Sequence, residues 1–383
     1  MDRRDFLTLS SSLMVGACMA STTSYVHANP NRTQKRLAIV LLEGGMDGLA
    51  AVPPLGDKYL FDHRSDLIGH ELFELNREFG LSRAMPNFYD MMRRGNGAIV
   101  HASGFPYTKR SHFEGQNVIQ TGVKTPFAEK TGWIGRTLSQ VNLGGRALSL
   151  SKPLLLRGYD DVDTIYPAQM KGAKYLQPEL MDMILAGSEY SPLKESIVKI
   201  KELTQESNFN LSRDPETLAF QAGQAMADDN GPVVSFVRVG GFDTHAQQGV
   251  DKTSVQNQKL AELDSIFSAF ESGLAKKWQD TIVLTITEFG RTVKMNGSYG
   301  TDHGFGSATI MAGGLLKSGA VVSDWPSLKK SRLFDSRDLN VTIDSRSIWC
   351  ASLSEVFNIN HETLSEEVFF DKTIPNISRY LFG

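Results

Sequence analysis

Two rhythms of apolar and polar positions alternate along this chain, and each predicts a different element. Short runs almost free of polar residues read as strands buried on both faces. Arg36–Leu42 (RLAIVLL), 98–102, Pro232–Val239 (PVVSFVRV), 281–287 (TIVLTIT) and 307–311 are of this kind, and 147–150 is a shorter one. Between them, apolar residues recur at three- and four-residue spacing, which predicts amphipathic helices. Residues 84–94 carry Met85, Phe88, Tyr89 and Met92; residues 259–273 carry Leu260, Leu263, Ile266, Phe267 and Phe270. Further helices are predicted over 113–120, 133–141 and 347–357. Strand then helix then strand is a βαβ rhythm, so the expected class is α/β. The pattern is least regular from 132 to 224, where helical stretches are broken by Pro178 and Pro192. That segment is the expected insertion or cap, and Lys194 to Glu206, with both charge signs interspersed, reads as a solvated face.

Polar residues able to do chemistry gather just after the strands. Glu43-Gly44-Gly45-Met46-Asp47-Gly48 follows the first strand, and Ser111-His112 follows the strand at 98–102. Gly240-Gly241-Phe242-Asp243-Thr244-His245 follows the strand at 232–239. Glu288 ends the strand at 281–287, Arg291 comes just after, and Thr301-Asp302-His303-Gly304 closes the next loop. Each has a plain reading. Asp47 can cap a turn, Ser111 can be an N-cap, and Arg291, Lys109 and Arg110 can be surface charge. Ligands bind at the carboxyl edge of an open α/β sheet. Four loops rich in carboxylates and imidazoles at that edge point to a cation. A hydroxyl at a helix start suits a nucleophile, because free N–H groups and the dipole face it. Cys350 falls on the closing helix, where packing is the expected role.

Composition narrows the class. Of 383 residues, 41% are hydrophobic and 22% charged, as in an ordinary globular enzyme. The net charge of −3 gives no reason to expect nucleic acid or an anionic membrane as partner. Residues 1–28 read as an export signal. Arg3-Arg4-Asp5-Phe6-Leu7 is a twin-arginine motif, the apolar core from 7 to 20 is too short to span a bilayer, and Val26-His27-Ala28 offers a cleavage site. Lipidation at Cys18 is the rival reading. The twin-arginine translocase is thus an expected partner, the mature chain, 29–383, is an expected single domain, and its expected place is the periplasm. That route exports folded proteins, which favours assembly around a metal beforehand.

GGMDG, RSHF, GGFDTH, TEFGRT and GTDHG, in this order behind a twin-arginine signal, resemble an exported bacterial family, domain of unknown function fifteen-oh-one. That family is placed in the alkaline phosphatase and sulfatase superfamily. The resemblance implies a three-layer α/β/α sandwich with a mostly parallel sheet and a metal site at its edge. It implies a metal-dependent hydrolase or transferase acting on a phosphate or other anionic ester, small or polymer-borne, with one or two divalent ions, zinc being the expected one. Carried over residue by residue, Asp47, with Glu43 as a competitor, Asp243, His245, Glu288, Asp302 and His303 are the expected metal ligands. Ser111 is the expected nucleophile, with Thr121-Gly122 a competitor. His112 and Arg291 complete the expected catalytic set, with Arg291, or Lys109 and Arg110, as the expected clamp on the anion. Phe289 stands where a histidine normally follows the acid. This departure motivates the alternative, a catalytically inactive metal-binding or assembly protein. No Cys-x-Pro-x-Arg or Ser-x-Pro-x-Arg sequence accompanies Ser111 or Cys350, which argues against a formylglycine sulfatase.

Overall fold

The computed structural model describes residues 23–27, 35–69, 71–141, 153–159, 162–165, 214–229, 231–251, 253–316 and 319–382. The twin-arginine motif, its apolar core, Cys18, Ala28, the predicted strand at 147–150 and the helical pattern at 175–206 lie outside them.

Eleven strands are labelled in chain order: β1 Thr23–His27, β2 Arg36–Leu42, β3 Leu72–Glu74, β4 Gly80–Ser82, β5 Gly97–Gly104, β6 Val162–Ile165, β7 Pro232–Val239, β8 Thr281–Ile286, β9 Ser307–Ala312, β10 Val321–Ser323 and β11 Ile343–Asp344. Six longer helices are α1 Pro86–Arg93, α2 His112–Thr121, α3 Trp133–Val141, α4 Pro215–Ala227, α5 Val255–Leu274 and α6 Ser345–Phe357. Nine strands form one sheet in the order β10-β5-β9-β8-β2-β7-β1-β6, with β11 also on β5. Strands β2, β7 and β8 pair in parallel, as do β10 and β11 with β5. Strand β9 runs antiparallel to both β5 and β8, and β1 antiparallel to β7 and β6. The sheet is therefore mostly parallel, with β9 and β1 the reversed strands among the described residues. Residues 23–27, which the sequence reading assigned to the leader, form β1 between β7 and β6.

The continuous apolar runs follow from this layering. A strand covered on both faces needs apolar side chains at every position. Leu37, Ile39 and Leu41 of β2 join one core with Val118, Trp133 and Ile348, from α2, α3 and α6. Ala38, Val40 and Leu42 join another with Phe88, Ala219, Leu260 and Phe267, from α1, α4 and α5. Two helical layers thus sandwich the sheet, as the α/β/α expectation requires. Within the expected insertion, α3 and the 3-10 turn Leu154–Leu156 enter the first core, and α4 enters the second. Cys350 is fully buried there and its thiol is pushed up by burial, consistent with packing.

The sheet sets one edge for chemistry. The loops after β2, β5, β7 and β8 leave from the carboxyl ends of parallel strands. Reversed β9 is entered from that same edge, so residues 301–304 arrive beside them. Gly44 makes the closest approach. Its φ is +117°, and a side chain on it would come within 2.3 Å of the Asp243 backbone nitrogen. Only glycine lets the β2 and β7 loops meet there.

Candidate metal centre

Asp243 is the hub. Its carboxylate receives the Nε2 atoms of three imidazoles: His112 at 3.3 Å on Oδ2, and His245 at 3.0 Å and His303 at 3.1 Å on Oδ1. The His245 and His303 Nε2 atoms are themselves 2.9 Å apart. His112, Asp243 and His303 each offer one ligand atom within 4.8 Å of the others. Two ring nitrogens this close are unfavourable unless a proton or a cation sits between their lone pairs.

The far side of every ring is anchored to oxygen. His112 Nδ1 meets Glu288 Oε1 at 2.9 Å. His245 Nδ1 meets Asp302 Oδ1 at 3.2 Å, and His303 Nδ1 meets the Arg110 carbonyl at 2.9 Å. With the proton on each Nδ1, all three Nε2 lone pairs face Asp243. Histidines that bind metals are held this way, by an oxygen that fixes the tautomer and raises ligand basicity. Imidazole nitrogens and a carboxylate oxygen, as His112, Asp243 and His303 offer, are donor types that divalent ions take. The residues present therefore fit a divalent ion.

Backbone and side chains lock the anchors in place. Glu288, fully buried, also accepts the Gly44 N–H at 2.9 Å. Asn296 donates to Asp302 Oδ1 at 2.9 Å and to the His245 carbonyl at 2.9 Å, tying its own turn to the site. Phe289, the residue in place of the expected histidine, lies under the rings of His112 and His303, at centroid distances of 5.0 and 4.6 Å. It gives the site an apolar floor and fills the space left bare by Gly45.

Charge follows the same geometry. The Glu288 hydrogen bond, aided by the charges of Glu288 and Asp243 and opposed by burial, raises the His112 pKa. Burial lowers that of His303. Burial works to raise the Asp243 carboxyl, but the Arg291 hydrogen bond and charge outweigh it and hold it below the usual range. The Asn296 hydrogen bond, opposed by burial and joined by the His245 hydrogen bond and charge, likewise holds Asp302 low. Both acids stay ionised at neutral pH, as cation ligands or their supports must.

Several expected roles change. Asp47 does not reach the cluster. It caps the one-turn helix Gly48–Ala51, pairs with buried Arg64 through both oxygens at 2.9 Å, and accepts Gln248 Nε2 at 2.7 Å. Its carboxylate is fully occupied by these partners. Glu288 and Asp302 sit behind His112 and His245 rather than among the converging atoms, whereas His112 joins the donors. Arg291 is buried and its N–H groups are taken by the Asp243 carboxylate at 2.6 Å, the Gly44 carbonyl at 3.1 Å, and the Thr301 hydroxyl and carbonyl. It orients Asp243 and has no open face for an anion. Arg110 is engaged with Asp335 and Asp338, and Glu43 with Arg238.

Ser111 is the N-cap of α2, its Oγ accepting the Glu114 N–H at 3.5 Å, one residue from His112. Thr121 and Gly122 stand at the opposite end of α2, Thr121 buried and bonded to the Val118 carbonyl. That end points negative carbonyls outward, so they do not compete with Ser111.

Sequence reasoning missed Gln248 and Thr301. The Gln248 Oε1 accepts the Thr244 and Thr301 hydroxyls at 2.9 and 2.7 Å, and Arg291 donates to Thr301. A buried polar chain thus joins Asp47 to Asp243. The only advance signal was Thr301 inside GTDHG.

The fold defines a class, α/β/α with a polar site at the carboxyl edge of a mostly parallel sheet. The resemblance to a known family is then borne out in the chain itself. A family described as protein of unknown function (DUF1501) matches residues 177–362, a span holding Asp243, His245, Glu288, Asp302 and His303 but not His112. No curated protein matches the chain. Among solved structures, the chain is similar to PsFucS1 sulfatase from Pseudoalteromonas sp., at 11% identity and TM-score 0.43, over 92% of this chain and 73% of that one. It is similar to the phosphonate monoester hydrolase SpPMH from Silicibacter pomeroyi, at 11% identity and TM-score 0.34, over 84% and 73%. A mutant of the alkaline phosphatase PafA matches at 11% identity and TM-score 0.30, over 68% and 64%.

Proposed function

We propose that this chain is an exported, metal-dependent hydrolase or transferase acting on a phosphate or other anionic ester. The observation that carries the reading is the convergence of three oxygen-anchored imidazoles on Asp243. His112, His245, His303 and Asp243 would hold the ion, which supplies Lewis-acid charge to an ester oxygen. Zinc is the ion best suited to this donor set.

The protein's own part is positioning. Glu288, Asp302 and the Arg110 carbonyl aim the rings; Arg291 aims Asp243; Phe289 keeps water from beneath them. Ser111 presents its Oγ at the start of α2, beside the cluster, where the first-turn N–H groups stabilise developing negative charge. In the reaction, Ser111 Oγ would form a bond to the phosphorus or sulfur as the bond to the alcohol oxygen breaks, the serine proton leaving with that alcohol. Water or a second alcohol would then bond to the phosphorus or sulfur as the bond to Ser111 Oγ breaks, its proton returning to Oγ. The twin-arginine motif and the short apolar segment behind it support export to the periplasm. Among the described residues, no helix is long and apolar enough to cross a membrane.

The test is metal analysis of the purified protein beside a screen of aryl phosphate, phosphodiester and sulfate esters. Stoichiometric metal and turnover of one ester class, lost in Ser111→Ala with metal retained, supports the reading. Turnover unchanged in Ser111→Ala removes Ser111 from the role. Bound metal without turnover of any ester favours the alternative, a metal-binding or assembly protein.

A further inference from the structure

His112 and His245 are anchored by carboxylates, but His303 is anchored by a neutral backbone carbonyl, that of Arg110. Its orientation therefore depends on the conformation of residue 110. That conformation is unusual. Arg110 has φ 61°, in the left-handed region that a side chain disfavours. Something must hold it there.

The holding group comes from far along the chain. Asp338 Oδ2 accepts Arg110 Nε at 2.9 Å and Nη2 at 2.6 Å, and Asp335 Oδ2 accepts Nη2 at 2.9 Å. The Phe334 ring lies 5.7 Å from the same guanidinium. Asp338 is buried, and its second oxygen has no hydrogen-bond partner. The turn carrying it is closed by reciprocal Phe334–Asp338 backbone bonds at 2.9 Å. It is stitched to the site, because Asp338 bridges to Thr292 and Arg291 bridges to His303. A buried carboxylate with one oxygen outside any hydrogen bond, faced by Arg337 at 3.7 Å, and a left-handed arginine are each unfavourable alone. Together they have one shared consequence: the Arg110 carbonyl points at His303 Nδ1.

We infer that Arg110 and Asp338 form a positioning unit for His303, holding residue 110 left-handed so that its carbonyl keeps the proton on Nδ1 and leaves Nε2 free as a ligand atom. The unit rests on the proposed metal site for its purpose, but its action on the ring is separable from metal binding.

The decisive measurement uses metal-free protein, recording the ring nitrogen shifts of His303 by ¹⁵N NMR, with His303→Gln giving the assignment. The wild-type chain should show the Nδ1-protonated tautomer. Arg110→Ala removes the clamp and keeps the steric penalty, so it should lose that tautomer preference. Arg110→Gly reaches the left-handed region freely and should retain more of it; Asp338→Asn should shift it in the same direction as Arg110→Ala. In parallel, Arg110→Ala should weaken zinc binding about 10- to 100-fold, with no further loss in a His303→Gln background. An unchanged tautomer in Arg110→Ala, or an equal zinc loss with His303 absent, overturns the inference. If Arg110→Ala does not fold, Arg110→Gly and Asp338→Asn decide it by the same criterion. A wild-type chain that takes up no divalent ion overturns the proposed function, while the tautomer shifts still decide this inference.

Discussion

Glu288 Oε1 stands 2.9 Å from Nδ1 of His112, buried behind the ring and away from the atoms that converge on Asp243. The acid that the chain places at the end of β8 therefore acts on the histidine at the start of α2. Supporting carboxylates of this kind alter metal affinity about 10- to 100-fold. Glu288→Gln should fold, keep metal stoichiometry at saturating zinc, and lose affinity on that scale. Competition with a chromophoric chelator reads it. An unaltered affinity would remove Glu288 from the support role.

Gly44 joins three parts of the site at once. Its N–H donates to Glu288, its carbonyl accepts from Arg291, and its bare face meets the Asp243 backbone. Gly44→Ala pays a left-handed penalty of about 1–2 kcal/mol and adds a methyl where the gap is 2.3 Å. The variant should melt lower and bind zinc weakly. Wild-type zinc affinity in a folded Gly44→Ala protein would show that the two loops are not held as described.

Asp47 separates support of the fold from metal binding. Both it and Arg64 are buried, so Asp47→Ala leaves the guanidinium its Val293 and Thr292 carbonyls but no counter-charge inside the protein. Losing one partner of a buried pair costs roughly 3–5 kcal/mol. Denaturant unfolding should show that loss, while the folded fraction binds as much zinc as before. A missing equivalent of zinc would instead return Asp47 to the ligand set.

His101 predicts an acid-side loss of stability away from the site. The ring is fully buried on β5, where Nε2 faces the Val52 carbonyl at 2.8 Å and Nδ1 accepts the Ala102 N–H at 2.7 Å. A second ring proton would face that N–H. Burial lowers its pKa from 6.5 to about 4. The unfolded chain thus binds a proton below pH 6.5 that the folded chain refuses until about pH 4. Stability is unaffected above that window and falls through it, by on the order of 3 kcal/mol in full. Urea unfolding at pH 7 and pH 4.5 should give a flatter dependence for His101→Gln than for the wild type. Parallel slopes would refute it.

Much of the scaffold was legible because the sheet is covered on both faces. Continuous apolar runs marked β2, β7 and β8 within a residue of their ends, and Ser111 marked the start of α2. The reversed direction of β9 was not legible, since an apolar run carries no information about its partners. Nor was β1 foreseen, because its residues follow the twin-arginine sequence and its apolar run and read as leader.

The site was legible as a list and not as roles. Residue type and position after a strand selected Asp243, His245 and His303, and local order named the chemistry. Whether an acid touches a cation or stands behind an imidazole depends on a few ångströms contributed by other loops. Asp47 was taken by Arg64, and Arg291 by Asp243 and Thr301, partners that lie far from them in the chain. The amino-acid order by itself determined the layers, the edge and the supply of carboxylates and imidazoles. Only the tertiary structure decided which atoms converge, because hydrogen-bond geometry is set by side chains meeting across loops and no periodicity along one strand records it.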